Sequence, residues 1–230
     1  MAIFIAFEIL FKNELLFYLQ TKINQVMSIN WGIIGCGKIA HKFIQDFAFV
    51  KKGKVVAVAA RSQERAKAFA GQYAVPKSYG SYEALVNDAE VDVIYIATPH
   101  NYHLEHMKLC FNHNKAVLCE KPITVNAKDF EEALGVLKTK NVFLMEAMWT
   151  WYLPAVIKAK QWIQEGRIGE VKFLRADFGF KGEMDMESRL FNPDLAAGSL
   201  LDIGIYPLSI AEFLIDSEIK SVKSVGYLGR

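Results

Sequence analysis

From residue 29 onward, short apolar runs alternate with segments in which apolar residues recur at helical spacing. The apolar runs, each typical of a buried strand, are residues 29–34, 55–60, 91–97, 116–119 and 142–145. The segments with helical spacing are residues 40–50, 64–73, 81–88, 103–113 and 127–139, while residues 76–80 are interpreted as a connector. Buried strands that alternate with helices predict a doubly wound parallel α/β sheet, covered by helices on both faces.

The first 27 residues do not share this alternation. Two apolar stretches, 1–11 and 15–19, are separated by Lys12, Asn13 and Glu14. Neither approaches the roughly 20 residues of a membrane-spanning helix, and a signal peptide would carry basic residues before Lys12. We expect residues 1–27 to be an extension outside the fold, with Met27 as the functional start. A short amphipathic docking helix is the alternative.

The alternation weakens after residue 150, which predicts a first domain over residues 28–150 and a second over 151–230. The pattern predicts helices over residues 151–165 and 200–213, an alternating strand over 171–180 and the start of another strand over 221–228. These elements predict the opening of an incomplete α+β domain. We therefore expect the chain to be truncated at its C-terminus and, in that form, inactive.

Composition excludes several classes of protein. Hydrophobic residues make up 52% and charged residues 23%, as in soluble globular proteins. Lys and Arg total 27 against 25 Asp and Glu, so no broad basic field favours a nucleic-acid partner, and we expect no membrane partner either. The three scattered cysteines fit a reducing, cytoplasmic location, and the histidines lack the carboxylate or cysteine that would complete a metal site.

The first chemical motif lies at the turn between the first strand and the first helix. It reads G-x-G-x-x-A and comprises Gly35, Cys36, Gly37, Lys38, Ile39 and Ala40. The first glycine permits the tight turn, the second lets a diphosphate approach the backbone, and Ala40 lets the helix pack on its strand. The helix N-terminus offers N–H groups to the phosphates. This strand–turn–helix context predicts a dinucleotide-binding site.

The end of the second strand indicates which dinucleotide binds. An NAD site usually has Asp or Glu here, whereas this sequence has Arg61 and Ser62. A guanidinium and a hydroxyl can bind a 2′-phosphate that a carboxylate would repel, so NADP is favoured over NAD. The alternative is that Arg61 is simply a solvated residue before a helix.

Several further motifs, in order along the chain, resemble one family. They are AARS at 59–62, ATPHNYH at 97–103, VLCEKP at 117–122, FLMEAMWT at 143–150 and LDIGIYP at 201–207. With the glycine turn they resemble the Gfo/Idh/MocA family of nicotinamide-dependent oxidoreductases. Within it they are similar to the branch of dimeric dihydrodiol dehydrogenases and NADP-dependent D-xylose 1-dehydrogenases. The resemblance runs from residue 29 to the end, and residues 196–199 depart from it where relatives have a more glycine-rich turn.

The resemblance implies a role for each matching residue. Lys121 would be the active-site lysine, Asp202 and Tyr206 would complete the catalytic centre, and Trp149 would bound the substrate pocket. The nicotinamide half of the cofactor would be lined by Thr98, Pro99, His103, Glu120 and Lys121. A Rossmann domain followed by a mostly antiparallel sheet that pairs subunits, and hence a homodimer, is also implied.

Hydride transfer from an alcohol needs a base that removes the hydroxyl proton as the carbonyl forms. Tyrosine is a poor base at neutral pH, but a nearby ammonium favours the phenolate, so Lys121 could activate Tyr206. Asp202 and Tyr206 are four residues apart and share one face of a predicted helix. Pro207 limits the local geometry there, because it lacks an N–H and fits best in a first helical turn. Asp202 could bind the substrate hydroxyl or keep Lys121 charged. Considered alone, the pair could equally be a capping carboxylate and a buried aromatic.

Together these features predict an NADP-dependent oxidoreductase of a small-molecule substrate. The substrate would be a secondary alcohol or a sugar hemiacetal, such as a trans-dihydrodiol or an aldose like D-xylose. The alternative from another class is a catalytically silent NADP-binding sensor of the same family. The simultaneous presence of Lys121, Asp202 and Tyr206 favours the enzyme.

Overall fold

The computed structural model describes residues 28–188 and 190–226. The predicted extension over residues 1–27 therefore lies outside the described residues.

Six parallel strands form the central sheet, in the order β3-β2-β1-β4-β5-β6. Their bounds are β1 Ile29–Ile34, β2 Gly53–Ala59, β3 Lys77–Tyr79, β4 Val93–Ile96, β5 Ala116–Cys119 and β6 Leu144–Glu146. This is the order of doubly wound dinucleotide-binding sheets, so the predicted Rossmann fold is confirmed. The strand order reverses between β1 and β4, and ligands of such sheets bind at the carboxyl ends of the strands beside that point.

Helices cover both faces of the sheet and continue beyond it. Their bounds are α1 Lys38–Asp46, α2 Gln63–Tyr73, α3 Tyr82–Val86, α4 His103–Asn112, α5 Ala127–Leu137, α6 Pro154–Gln164 and α7 Ile205–Leu214. Short 3₁₀ turns occur at Phe47–Phe49, His100–Tyr102, Trp149–Tyr152 and Pro193–Leu195, and a π-helical turn at Leu200–Gly204 precedes α7. Ser62, Ser81 and Asn126 cap α2, α3 and α5 by accepting backbone N–H groups, each worth about 1 kcal/mol.

Two cores lie on opposite faces of the sheet. One face packs side chains of β1, β2, β4 and β5 against α3, α4 and α5, and the other packs the sheet against α1 and α2. Phe43 of α1 stacks on Tyr95 of β4 with ring centroids 3.8 Å apart. Among the described residues, every buried hydrophobic side chain lies between Trp31 and Met148.

Three sequence predictions differ from the structure. The connector at residues 76–80 contains the edge strand β3, which is too short and polar to give a strand pattern. The strand predicted over residues 171–180 is wrong, and residues 221–226 of the last predicted strand are likewise irregular. A strand needs a neighbour to pair its backbone groups, and neither described segment has one. Of the predicted α+β second domain, the described residues therefore show helices, turns and irregular segments but no strand.

The helical stretch Pro193–Leu214 is long and apolar enough, with a mean hydropathy of 1.3, to cross a membrane by those two criteria alone. Apolar helices of soluble proteins meet the same criteria. Here the stretch carries Asp202 and Tyr206, which contact the sheet domain as described below.

Candidate functional site

The glycine turn at residues 35–37 has the geometry that its sequence predicts. Gly35 has a φ of +94°, and a Cβ there would lie 3.0 Å from the Ala97 carbonyl oxygen. At Gly37 a Cβ would approach the described part of the chain no closer than 4.0 Å, so the backbone is open above this residue. Ala40 is fully buried against the sheet. The turn therefore combines a required glycine with an accessible backbone.

The N-terminus of α1 is open to an anion. Gly37 occupies the N-cap position, where among the described residues no side chain accepts a helix N–H group. The first turn holds Lys38 and Ile39 and no acidic residue. Free N–H groups and the positive end of the helix dipole favour a phosphate at this position. The residues present therefore fit the diphosphate of a dinucleotide.

A pocket of about 270 Å³ adjoins the glycine turn between α1 and α2. Its lining includes Cys36, His41, Phe69 and Arg65. Burial raises the pKa of the Cys36 thiol to about 11, and its Sγ lies 3.7 Å from the Ala59 carbonyl oxygen, so Cys36 is a protonated packing residue. The sequence analysis missed Arg65, although it lies one helical turn after Arg61.

The second strand ends at an exposed arginine and a capping serine. Arg61 is exposed. The Ser62 hydroxyl donates to the Glu64 carboxylate at 2.6 Å and accepts the N–H of Arg65 at 3.3 Å. The Ser62 hydroxyl is therefore already engaged in capping α2. Arg61 precedes this helix and Arg65 lies in its first turn, so two guanidinium groups lie close to the end of β2.

Two histidines of α4 hold the loop that follows β4. His103 Nε2 lies 2.9 Å from the Thr98 carbonyl oxygen, and His106 Nδ1 lies 2.9 Å from the Thr98 hydroxyl. The second ring nitrogen of His103, Nδ1, lies 2.9 Å from the Pro122 carbonyl oxygen. Burial lowers the pKa of both histidines to about 4, so both rings are neutral at physiological pH. Pro99 of the same loop is exposed.

The loop after β5 carries a buried carboxylate next to the predicted lysine. Tyr95 donates to Glu120 Oε1 at 2.5 Å, and Glu120 Oε2 accepts the backbone N–H of Lys121 at 3.2 Å. Burial, with the Glu120 charge as a further cause, raises the pKa of Tyr95 well above its usual range. Glu120 therefore orients the loop that presents Lys121.

Lys121 meets Asp202 and Tyr206, which lie some eighty residues later in the sequence. Its Nζ donates to the Asp202 carbonyl oxygen at 2.5 Å and lies 3.6 Å from Asp202 Oδ1. The same Nζ lies 4.6 Å from the centroid of the Tyr206 ring. Trp149 Nε1 donates to the Tyr206 hydroxyl at 3.2 Å, and the Phe178 ring lies 5.0 Å from the Tyr206 ring. The structure thus brings together Lys121, Trp149, Asp202 and Tyr206.

The backbone around Pro207 explains how Asp202 and Tyr206 reach one lysine. Pro207 lies in the first turn of α7 and has no N–H for the Ile203 carbonyl, so the α-helical ladder is interrupted there. The π turn Leu200–Gly204 directly precedes it. Such π turns commonly mark functional sites within helices. Asp202 is buried and Tyr206 half-buried in this junction.

Glu146 is a site residue that the sequence analysis did not single out. It ends β6, and its carboxylate accepts the backbone N–H of Ile123 at 2.8 Å. Burial raises its pKa. Glu146 therefore fixes the far end of the loop that begins with Lys121. The sequence signal that could have identified it is its position at the carboxyl end of an apolar run, where the site residues of parallel sheets lie.

At the carboxyl ends of the strands, the arrangement combines a helix N-terminus open at the glycine turn, the guanidinium groups of Arg61 and Arg65, and the group formed by Lys121, Asp202 and Tyr206. Among residues 28–188 and 190–226, no cluster of three or more His, Cys, Asp or Glu side chains is placed to hold a metal ion. The site is therefore suited to binding a dinucleotide and to moving a proton at Tyr206.

Comparisons with known proteins agree with this geometry. The oxidoreductase family GFO_IDH_MocA, described by its NAD-binding Rossmann fold, matches residues 29–148, and the GFO/IDH/MocA C-terminal domain matches residues 156–228. Trans-1,2-dihydrobenzene-1,2-diol dehydrogenase from Danio rerio is 39% identical over 194 residues, which cover 84% of this chain and 58% of the relative. The Homo sapiens enzyme of that name is 41% identical over 182 residues, which cover 78% of this chain and 54% of the relative.

Solved structures with the same fold are also oxidoreductases. Aldose-aldose oxidoreductase from Caulobacter crescentus superposes with a TM-score of 0.76 at 28% identity, over 81% of this chain and 57% of that one. A 3-ketoreductase from Actinomadura kijaniata, in complex with NADP and TDP-benzene, gives a TM-score of 0.75 at 28% identity over the same shares. The chain thus spans under three fifths of the length of these relatives, and by both its domains it belongs to the Gfo/Idh/MocA oxidoreductase family.

Proposed function

We propose that this protein is an NADP-dependent oxidoreductase that transfers hydride between nicotinamide and a secondary alcohol or sugar hemiacetal. The observation that carries the proposal is that Lys121 contacts both Asp202 and Tyr206. These contacts lie at the carboxyl ends of the strands, where the glycine turn also lies. The dehydrogenase relatives and the reductase solved with NADP support the same chemistry.

The first domain holds the cofactor in this proposal. The open backbone at Gly37 and the N-terminus of α1 bind the diphosphate. Arg61 and Arg65 contact the 2′-phosphate, because guanidinium groups recognise phosphate oxygens in a fork geometry. Thr98 and Pro99 line the nicotinamide half. The bound nicotinamide supplies the hydride acceptor for alcohol oxidation and the donor for carbonyl reduction.

Tyr206 moves the proton that accompanies the hydride. As phenolate it accepts the proton of the substrate hydroxyl, and as phenol it returns that proton to the carbonyl oxygen in the reverse direction. The Trp149 N–H is donated to the Tyr206 oxygen, and the Lys121 Nζ lies over the Tyr206 ring, so both groups orient the hydroxyl that exchanges the proton. Asp202 holds the lysine in place through its carbonyl and carboxylate oxygens.

The substrate binds beside the aromatic walls formed by Trp149 and Phe178, which contact Tyr206 from two sides. The relatives' names suggest trans-1,2-dihydrobenzene-1,2-diol and aldoses as the first compounds to test. We further propose a cytoplasmic homodimer paired through the second domain, as the family resemblance implies.

The direct test is an NADP-linked oxidation screen on the whole protein, with trans-1,2-dihydrobenzene-1,2-diol and aldoses that include D-xylose. We expect NADPH to form with at least one of these compounds, and less NADH to form when NAD replaces NADP. If NADPH binds but no compound is oxidised, the protein is a silent cofactor-binding sensor. If NADPH does not bind, both functions are excluded.

A further inference from the structure

The charged residues of the sheet domain are unevenly distributed along the sequence. Residues 28–76 contain eight Lys and Arg side chains against two Asp and Glu, whereas residues 77–150 contain seven against ten. The near balance of charge over the whole chain therefore conceals a basic half and an acidic half. The basic half comprises β1, α1, β2 and α2, and it includes the glycine turn and the end of the second strand.

Exposed cations of this half lie on α1 and at the start of α2. They are Lys38, Lys42, Arg61 and Arg65, here termed the basic surface. The two helices lie side by side, with the ring centroids of His41 and Phe69 4.6 Å apart. Lys38 adjoins the glycine turn, and Lys42 follows it about one helical turn later on the same side of α1. The basic surface therefore extends from the glycine turn outward over the helices.

No described acidic side chain neutralises the basic surface by direct pairing. Among residues 28–188 and 190–226, none of its four cations makes a salt bridge. In the acidic half, by contrast, Lys77 pairs with Asp88 and Glu90, and Lys108 pairs with Glu132. Because its charges are not compensated locally, the basic surface produces a positive potential beside the glycine turn.

The lysines of α1 are placed against the stability of their own helix. A cation in the first turn opposes the helix dipole, and like charges four residues apart repel one another. Lys38 lies in the first turn of α1, which holds no acidic residue, and Lys42 follows four residues later. The first turns of α2 and α3 instead carry Glu64 and Glu83. The positive potential of α1 is thus kept at a cost in helix stability, which suits the capture of an anionic ligand.

We propose that the basic surface steers NADPH to the glycine turn, and that Lys42 speeds the association of a cofactor that it does not contact. The proposal rests on the proposed function. NADPH carries a diphosphate and a 2′-phosphate, and a surface of opposite charge raises the rate at which such an anion encounters its site. Lys42 is not among the groups assigned to the bound cofactor. Its charge therefore acts on the association rate constant and leaves the dissociation rate constant unchanged.

The test is Lys42→Glu in the whole protein, with both rate constants for NADPH measured by stopped-flow fluorescence. At a salt concentration of about 0.1 M, where the Debye length is about 10 Å, we expect association to slow roughly three- to fivefold. At about 1 M salt, where the Debye length is about 3 Å, the natural protein and the variant should associate at equal rates. NADH lacks the 2′-phosphate and should be slowed less than NADPH. The dissociation rate constant should not change.

Lys51→Glu is the matched control, because it makes the same change of charge at an exposed position just before β2. The amino end of β2 lies at the opposite end of the sheet from the glycine turn, and α1 alone spans about 14 Å between these ends. Screening over that distance should limit the slowing by Lys51→Glu to less than about 1.5-fold at 0.1 M salt. Lys42→Glu exchanges a repulsion with Lys38 for an attraction, so its stability in urea should not fall.

Three results would overturn the steering role. They are an unchanged association rate constant in Lys42→Glu at low salt, an equal slowing by Lys51→Glu, and faster dissociation with unchanged association. The last result would make Lys42 a direct contact of the bound cofactor. Each of them leaves the oxidoreductase function intact, since NADPH still binds. Failure of the natural protein to bind NADPH would instead reject the proposed function, and the steering role with it.

Discussion

The regions before and after residue 150 differ in how far their apolar side chains are buried. The first buries its aromatic and aliphatic residues on both faces of the sheet, with Phe111 and Ile33 fully inaccessible. In the second, the described side chains that are buried are Asp202 and Ser209, while Phe173 is 82% exposed and Val222 is 80% exposed. The described residues of the second region therefore contribute polar groups to the site and no hydrophobic side chain to the buried core.

The difference in burial implies that the first region supplies most of the folding stability, while the second supplies Asp202 and Tyr206 to the site. The sheet domain holds its own core, whereas Asp202 and Tyr206 are anchored to it through Lys121 and Trp149. Segments with few buried contacts open locally at lower free energy than a packed core. We therefore expect the segment that carries Tyr206 to open locally at a lower free energy than the sheet whose loop presents Lys121.

The largest expected effect contrasts one phenylalanine from each region. Phe111→Ala should lower the free energy of unfolding by about 3–5 kcal/mol, because it removes a fully buried ring from the core under the sheet. Phe173→Ala is the matched control, and we expect a change within about 0.5 kcal/mol because that side chain is exposed. Urea unfolding measures both. Equal losses for the two variants would show that the regions share one core.

The next effect is a pH dependence of folding stability that arises from two histidines of the first region. The pKa of His103 and of His106 is lowered to about 4 by burial, from an ordinary value of 6.5. Between these values the unfolded chain binds protons that the folded chain does not, so stability falls as the pH falls through this window. Each histidine contributes up to about 3 kcal/mol to this loss.

The measurement compares urea unfolding of the natural protein and His106→Phe across that pH range. The variant lacks one of the two titrating rings, so its stability should change with pH about half as steeply. An unchanged slope would mean that His106 is solvated or protonated in the folded protein.

A smaller effect concerns cofactor selection by the first region. Arg61→Ala should weaken NADPH binding about 10- to 100-fold, since a charge-assisted hydrogen bond is worth roughly 1.5–3 kcal/mol, and should leave NADH binding nearly unchanged. Arg175→Ala is the control in the second region, where the guanidinium is exposed and pairs with Asp177. Titration of cofactor fluorescence gives the affinities. Equal weakening of NADPH and NADH by Arg61→Ala would disprove its role in selection.

The sequence predicted those parts of the fold in which one segment carries its own signal. The apolar runs of β1, β2, β4 and β5 and the glycine turn were identifiable because burial on both faces and a required positive φ at Gly35 leave local patterns. The alternation over residues 171–180 was misleading, because a strand also requires a partner. Phe178 from that segment nevertheless reaches Tyr206.

Residues of the site that lie in the family motifs could be predicted from the sequence. Contacts that form only through tertiary packing could not. Those motifs singled out Lys121, Asp202 and Tyr206, and the structure brings the three together. The burial of His103 between two carbonyls depends on loops that meet only in three dimensions, so no local pattern reveals it. For the same reason the pocket beside Arg65 was missed.

The central claim is that Tyr206, held by the first region through Lys121 and Trp149, moves the proton of the reaction. Its most direct test is Tyr206→Phe in the whole protein, with kcat and NADPH affinity measured together and Tyr152→Phe as the half-buried control. The variant keeps the ring that packs on Trp149 and Phe178 and loses only the hydroxyl. We predict that NADPH affinity stays unchanged while kcat falls by roughly two to four orders of magnitude, the usual size of an acid–base contribution. Near-normal turnover in Tyr206→Phe would contradict the account.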